Sequence, residues 1–147
     1  MTELLNESDI NAKLHDLIEL DYDAIAAYKA AIDGIDDASH KAKLIEFMGD
    51  HERHVSEFSG VIRKQGGTPP DSGDFKKILT AGKVKIADMI GSDDLILKAM
   101  TANEEQTNSK YESMVQEGFP APVQKLLEAG LADEKRHRAW IKSALNE

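Results

Sequence analysis

The chain has 147 residues, 41% of them hydrophobic, which is enough for one domain with one sizeable core. Its formal charge of −9 argues against the basic face that nucleic acid or an anionic membrane requires, while suiting cations. Cysteine is absent, which excludes disulfides, zinc–thiolate sites, iron–sulfur clusters and thiol catalysis.

The N-terminal segment through Asp9 is acidic and has no long apolar run, so no secretory signal is expected. Nothing approaches the ~18 uninterrupted apolar residues of a membrane-spanning helix. A soluble, cytoplasmic protein is therefore the expectation. Four prolines, sparse aromatics and abundant Ala, Leu, Ile, Glu and Lys favour helix.

Capping side chains at Asn6 to Ser8 open a first helix, which runs to about Asp33 with Leu14, Leu17, Ile18, Ile25, Tyr28 and Ile32 on one stripe. Gly34 ends it. A second helix runs from about Asp37 to Lys64, with Leu44, Phe47, Met48, Val55, Phe58, Val61 and Ile62 inward. The Gly- and Pro-rich stretch from Gln65 to Gly73 breaks the pattern, and Asp74 to Ile90 reads as one short amphipathic helix. Gly91 stops that helix and Ser92 caps a third, from Asp93 to about Gln116. Gly118 to Pro122 forms the next turn. A fourth helix runs from about Pro122 to the end, carrying Val123, Leu127, Leu131, Ile141 and Leu145.

Short turns within each pair make antiparallel hairpins, and the long middle connection can carry the chain back along the bundle. The expected fold is an all-α antiparallel four-helix bundle in one domain spanning residues 1–147. Its two helical hairpins are joined by a long crossover that contains a short helix.

Polar residues interrupt the apolar stripes near the middle of each helix. Asp21 sits between Ile18 and Ile25, and His51 between Met48 and Val55, with His54 three residues on. Glu104 lies between Met100 and Thr107, and Glu134 between Leu127 and Ile141, with His137 beside it. At ~100° per residue these positions share the core-facing side. Buried carboxylates are costly unless paired or bound to metal. Three carboxylates and three imidazoles at one level suit iron or manganese, with zinc or copper as alternatives. The competing readings are a histidine at the core edge satisfied by an acid, a buried ion pair from Asp21 or Glu104 to Arg53, Arg136 or a histidine, and a plain His51–Glu134 hydrogen bond.

A shift of 83 positions places Asp21 on Glu104, Tyr28 on Tyr111, Asp50 on Asp133, His51 on Glu134, Arg53 on Arg136 and His54 on His137. The hairpins read as copies about a pseudo-twofold axis, and the repeat is concentrated on polar positions. Asp50 and Asp133 fall one turn before the histidines, where they either accept from an imidazole or face solvent. Glu105 is an alternative to Glu104, but its phase is off the stripe. Tyr28 and Tyr111 are expected to pack in the core with hydroxyls reaching the carboxylates. Trp140 is expected at a packing or interface position, and His15, His40, Glu19 and Asp23 at the surface.

At these residues the sequence resembles the ferritin-like di-iron carboxylate superfamily, which includes bacterioferritins and rubrerythrins, and is most similar to small bacterial ferritin-like proteins. The segment Asp21 to Tyr28 resembles the family's first-helix motif, Glu104 takes the third-helix position, and Glu134-Lys-Arg-His137 matches the fourth. His51-Glu-Arg-His54 departs from the pattern, with histidine where the family has a metal-bridging glutamate. The first helix also supplies Asp, with a shorter reach than Glu.

The resemblance implies a metal site of Asp21, His51, His54, Glu104, Glu134 and His137, holding one or two iron ions, with manganese or zinc as alternatives. It implies iron handling or oxidative-stress defence through ferroxidase-like, peroxide- or oxygen-reducing chemistry. The other function considered is a non-enzymatic bundle with a degenerate or zinc-type site, acting through self-association or partner binding. Pairing of such bundles along a helix face makes a homodimer an expectation. The short tail after the fourth helix speaks against iron storage in a cage.

Overall fold

The computed structural model of the chain describes residues 5–71 and 91–146, and the short helix expected over 74–90 lies outside them. Four helices account for most of the described residues: α1 (Glu7–Gly34), α2 (Ala38–Lys64), α3 (Asp93–Met114) and α4 (Ala121–Asn146). No strand occurs among the described residues. None of the helices is long and apolar enough to cross a membrane.

Side chains cap the helices as the sequence suggests. Asn6 Oδ1 accepts from Asp9 N at 2.9 Å, Asp37 Oδ1 from His40 N at 2.9 Å, and Ser92 Oγ from Leu95 N at 3.3 Å. Helix α3 stops two residues earlier than the periodicity suggests. After Met114 the amides of Gln116 and Glu117 turn back to Ser113 and Met114, three residues behind them, and Gly118 follows at φ 87°. The last turn tightens before a left-handed glycine reverses the chain.

The helix ends fix the topology. Leu5 N donates to Gly118 O at 3.1 Å, joining the start of α1 to the end of α3. At the other end, Asp93 at the head of α3 accepts from the amides of Asp36 and Asp37 at 2.9 and 3.0 Å. Helices α1 and α3 are therefore antiparallel neighbours. His40 near the start of α2 meets Trp140 near the end of α4, with ring centroids 5.5 Å apart, so α2 and α4 are antiparallel too. Gln65 Nε2, just past α2, donates to Asn11 Oδ1 at 2.7 Å, at the end of the bundle remote from Asp93. The chain between α2 and α3 thus links opposite ends, as a crossover must.

Two apolar clusters fill the interior. One gathers Leu14, Ile18, Phe58, Ile62, Met114 and Leu127, and the other Ala31, Leu44, Phe47, Leu97, Met100 and Ile141. Each fully buried large apolar side chain contributes about 1.5–3 kcal/mol. On α1 the buried line runs through Leu17, Asp21, Ala24, Tyr28 and Ala31, while Ile25 and Ile32 stay partly exposed. Between the clusters lies a buried polar layer: Asp21, His51, His54, Glu104, Thr107, Asn108, Glu134 and His137.

Candidate metal centre

The polar layer contains two overlapping groups of ligand-type side chains. Asp21, His51, His54 and Glu134 form one, and His51, Glu104, Glu134 and His137 the other. In each, one ligand atom per residue lies within 4.8 Å of all the others, and all six residues are buried. The structure therefore brings together the six residues picked out by helical phase, from four helices. His51 and Glu134, equivalent under the repeat, are the members shared by both groups.

The surroundings follow the same twofold logic. His137 Nε2 donates to Asp50 Oδ2 at 2.8 Å, and His54 Nε2 to Asp133 Oδ2 at 2.9 Å, each bond crossing between α2 and α4. Asp50 and Asp133 are thus imidazole partners rather than solvated side chains. Arg136 donates to Asp50 Oδ2 at 2.6 Å, and Arg53 donates to Asp133. Both arginines serve these outer aspartates and reach neither Asp21 nor Glu104. Tyr111 donates to Asp21 Oδ2 at 2.9 Å, and Tyr28 donates to Glu104. Burial pushes both phenols well above their ordinary range, so they remain donors.

Other residues of interest lie elsewhere. Glu105 is exposed and pairs with Lys142 at 3.1 Å. His15 pairs with Glu19 at 2.7 Å on the surface of α1. Asp23 is half-buried, and burial raises its carboxyl.

Burial opposes charge throughout the layer, and the neighbours decide the outcome. On Asp21, the His51 and His54 imidazoles overcome burial and lower the carboxyl. On Glu104, His137 and His51 do the same. Glu134 goes the other way: burial raises it despite His51 and His137, so it is the layer's most readily protonated carboxyl. Burial pulls His137 down, but Glu104 and Glu134 lift it to about 9. Burial likewise opposes the charged form of His51, yet Glu134, Asp21 and Glu104 raise it well above its ordinary value.

The donor set fits a divalent first-row ion. His51 Nε2, His137 Nδ1 and Glu134 Oε1 are buried and have no hydrogen-bond partner among the described residues. Orphaned polar atoms are costly, and ligation satisfies them. His137 Nδ1 lies 3.4 Å from Glu104 Oε1 and 3.6 Å from Glu134 Oε2, and His51 Nε2 lies 3.7 Å from Glu104 Oε1. These separations are long for hydrogen bonds. They are close to the ~3.4 Å that separates ligand atoms placed tetrahedrally at ~2.1 Å from an ion.

Two contributors escape a reading by stripes alone. Asn108 Nδ2 bridges the carbonyls of Glu104 at 2.8 Å and Glu134 at 3.0 Å, tying α3 to α4 beside the site. It lies four residues after Glu104, a signal visible in the sequence but indistinguishable there from a solvated amide. Gly130 faces the Tyr111 ring: a Cβ there would meet Tyr111 Cε1 at 2.5 Å. No sequence signal marks that contact.

The family described as a domain of unknown function, DUF2383, matches residues 9–117. The matched segment includes Asp21, His51, His54 and Glu104 and ends before α4. No curated protein and no solved structure matches the chain.

Proposed function

We propose that this chain, which belongs to the family described as a domain of unknown function (DUF2383), is a ferritin-like metal-binding protein that handles iron or defends against oxidative stress. Iron is the metal of the proposal, held between the four helices in the polar layer of Asp21, His51, His54, Glu104, Glu134 and His137, from which its ligands are drawn. The observation that carries the reading is the pair of overlapping four-residue groups with three orphaned ligand atoms among them. Support also comes from the hairpin–crossover–hairpin connectivity, which ferritin-like bundles use.

Bound iron would supply one-electron chemistry toward oxygen or peroxide. The protein's own residues do the rest. Asp50 and Asp133 fix the imidazole orientations, the usual task of a carboxylate behind a ligating histidine. The two tyrosines hold Glu104 and Asp21 in place, and the flanking apolar clusters exclude bulk water.

The test is anaerobic loading with Fe(II), desalting and an iron count per chain, beside a Glu104→Ala/Glu134→Ala variant. Iron retained by the intact chain and lost in the variant is the expected result. Equal retention by both would remove the site assignment.

One observation favours a second reading, a metal-free bundle acting through self-association or partner binding. Asp21, His54, Tyr111 and the Nδ1 of His51 already lie within hydrogen-bond distance of one another, with Asp21 Oδ1 2.8 Å from His51 Nδ1 and Tyr111 Oη 3.0 Å from His54 Nδ1. Buried networks of this kind can fix helix register. No gain in melting temperature with Fe(II), Mn(II) or Zn(II) would favour it.

A further inference from the structure

His51 stands where the two groups of ligand-type side chains meet, and its two ring nitrogens face opposite ways. Nδ1 lies 2.8 Å from Asp21 Oδ1 and 3.4 Å from Glu134 Oε1. Nε2 lies toward Glu104 and has no hydrogen-bond partner among the described residues. A neutral imidazole has one lone pair, so the nitrogen that donates a proton cannot also be a ligand. An ionised Asp21 can only accept, so Nδ1 carries the proton and Nε2 the lone pair. His51 is thereby turned toward the group it shares with Glu104, Glu134 and His137.

The other two histidines show the same imbalance. His54 Nδ1 is 3.0 Å from the Tyr111 hydroxyl, which is itself 2.9 Å from Asp21 Oδ2. With Nε2 donating to Asp133, a neutral His54 presents its Nδ1 lone pair to the Tyr111 hydroxyl, whose single proton goes either to it or to Asp21. His137 is held through Nε2 by Asp50, as His54 is by Asp133, but its Nδ1 is unpartnered among the described residues. Under the repeat, Tyr28 is the counterpart of Tyr111 and likewise donates to the counterpart of Asp21, Glu104, but it makes no hydrogen bond to His137 Nδ1 as Tyr111 can to His54 Nδ1. Glu104 is one methylene longer than its counterpart Asp21. Both orphaned imidazole nitrogens therefore belong to one group of four, whereas in the other the Nδ1 atoms of His51 and His54 already have Asp21 and Tyr111 within hydrogen-bond distance. The third orphan, Glu134 Oε1, lies 3.4 Å from His51 Nδ1 and 3.5 Å from His54 Nδ1.

We infer that the chain holds one divalent ion, on His51 Nε2, Glu104, Glu134 and His137 Nδ1, and that Asp21 is a positioning residue for His51 rather than a ligand. This rests on the reading of the polar layer as a metal site. Two neutral imidazoles and two carboxylates suit a divalent first-row ion and balance its charge. The residue that departs from the di-iron pattern, His51, is the one that breaks the symmetry. A carboxylate in its place could face both groups at once, whereas a neutral imidazole serves one.

The test counts iron per chain after anaerobic Fe(II) loading of the full chain and of His54→Ala, His137→Ala and Asp21→Asn. The inference expects a ratio near one for the intact chain and for His54→Ala, and near zero for His137→Ala. Asp21→Asn should keep a ratio near one but bind about 10–100-fold more weakly, as loss of an orienting carboxylate does. Two ions in the intact chain, or loss of the ion in a folded His54→Ala, would overturn the inference while leaving the metal reading standing. No ion in the intact chain with Fe(II), Mn(II) or Zn(II) would overturn both. If His54→Ala fails to fold, nitrogen-15 NMR of the Zn(II)-loaded intact chain decides. A protonated Nδ1 and a metal-bound Nε2 on His51 are expected, and a metal-bound Nδ1 overturns the assignment.

Discussion

The imidazole of His137 donates from Nε2 to Asp50 Oδ2 at 2.8 Å, joining α4 to α2 across the face where those helices meet. That bond fixes the ring so that Nδ1 points into the polar layer. Asp50→Asn keeps the shape but replaces a charged acceptor with a weaker one. Metal affinity is expected to fall about 10–100-fold with helicity unchanged. A competition titration against a chromophoric chelator measures it. Arg136, which also touches Asp50, is largely exposed. Arg136→Ala should cost under about 1 kcal/mol of stability and leave affinity within a few-fold.

Gly130 lets the Tyr111 ring lie against the α4 backbone, and a Cβ there would sit 2.5 Å from Tyr111 Cε1. Gly130→Ala favours the helix intrinsically, yet a rigid ring cannot yield that distance. The variant should be destabilised by about 1–3 kcal/mol, the usual cost of overpacking. Urea denaturation reads the loss. In a Gly130→Ala/Tyr111→Ala chain the clash is absent, so the two costs should add to more than the double variant shows.

Thr107 Oγ1 lies 3.0 Å from Glu134 Oε2 and 3.3 Å from Glu104 Oε2. Thr107→Val keeps the shape and deletes the hydroxyl. Without metal, the variant should lose about 1–3 kcal/mol, because buried carboxylates give up a donor. With metal bound the loss should shrink. Melting curves with chelator and with excess Zn(II) make the comparison. Equal losses in both would mean that the hydroxyl does not serve the site carboxylates.

Stability without metal should fall as pH rises. His137 is raised from 6.5 to about 9 in the folded chain, so its contribution is fully present below pH 6.5 and is lost as pH rises through about 9. His51 and His54, also raised, act in the same direction. A ligating His137 must be neutral at Nδ1, so metal uptake should release protons and affinity should increase over the same window. Melting temperatures at pH 6, 7.5 and 9 in chelator check the first point, and proton release in weak buffer the second. A melting temperature that rises across the window would contradict the pairing of His137 with Glu104 and Glu134.

The sequence by itself determined the four long helices of the described residues, their caps and the inward phase of Asp21, His51, His54, Glu104, Glu134 and His137. These depend on 3.6-residue periodicity and on short-range capping, which one strand of text contains. It also carried the 83-residue repeat, and with it the pairing of equivalent positions. Only the tertiary structure decided which groups meet across helices. Asp50 takes His137 rather than its own neighbour His54, and Tyr28 takes Glu104 while Tyr111 takes Asp21. Periodicity places a residue on a face but not at a height or distance from the opposite helix, so neither the Asn108 bridge nor the Gly130 contact could be read in advance. The imbalance between the two halves of the site is likewise tertiary: it depends on where a single proton sits on His51, and only the distance to Asp21 specifies that.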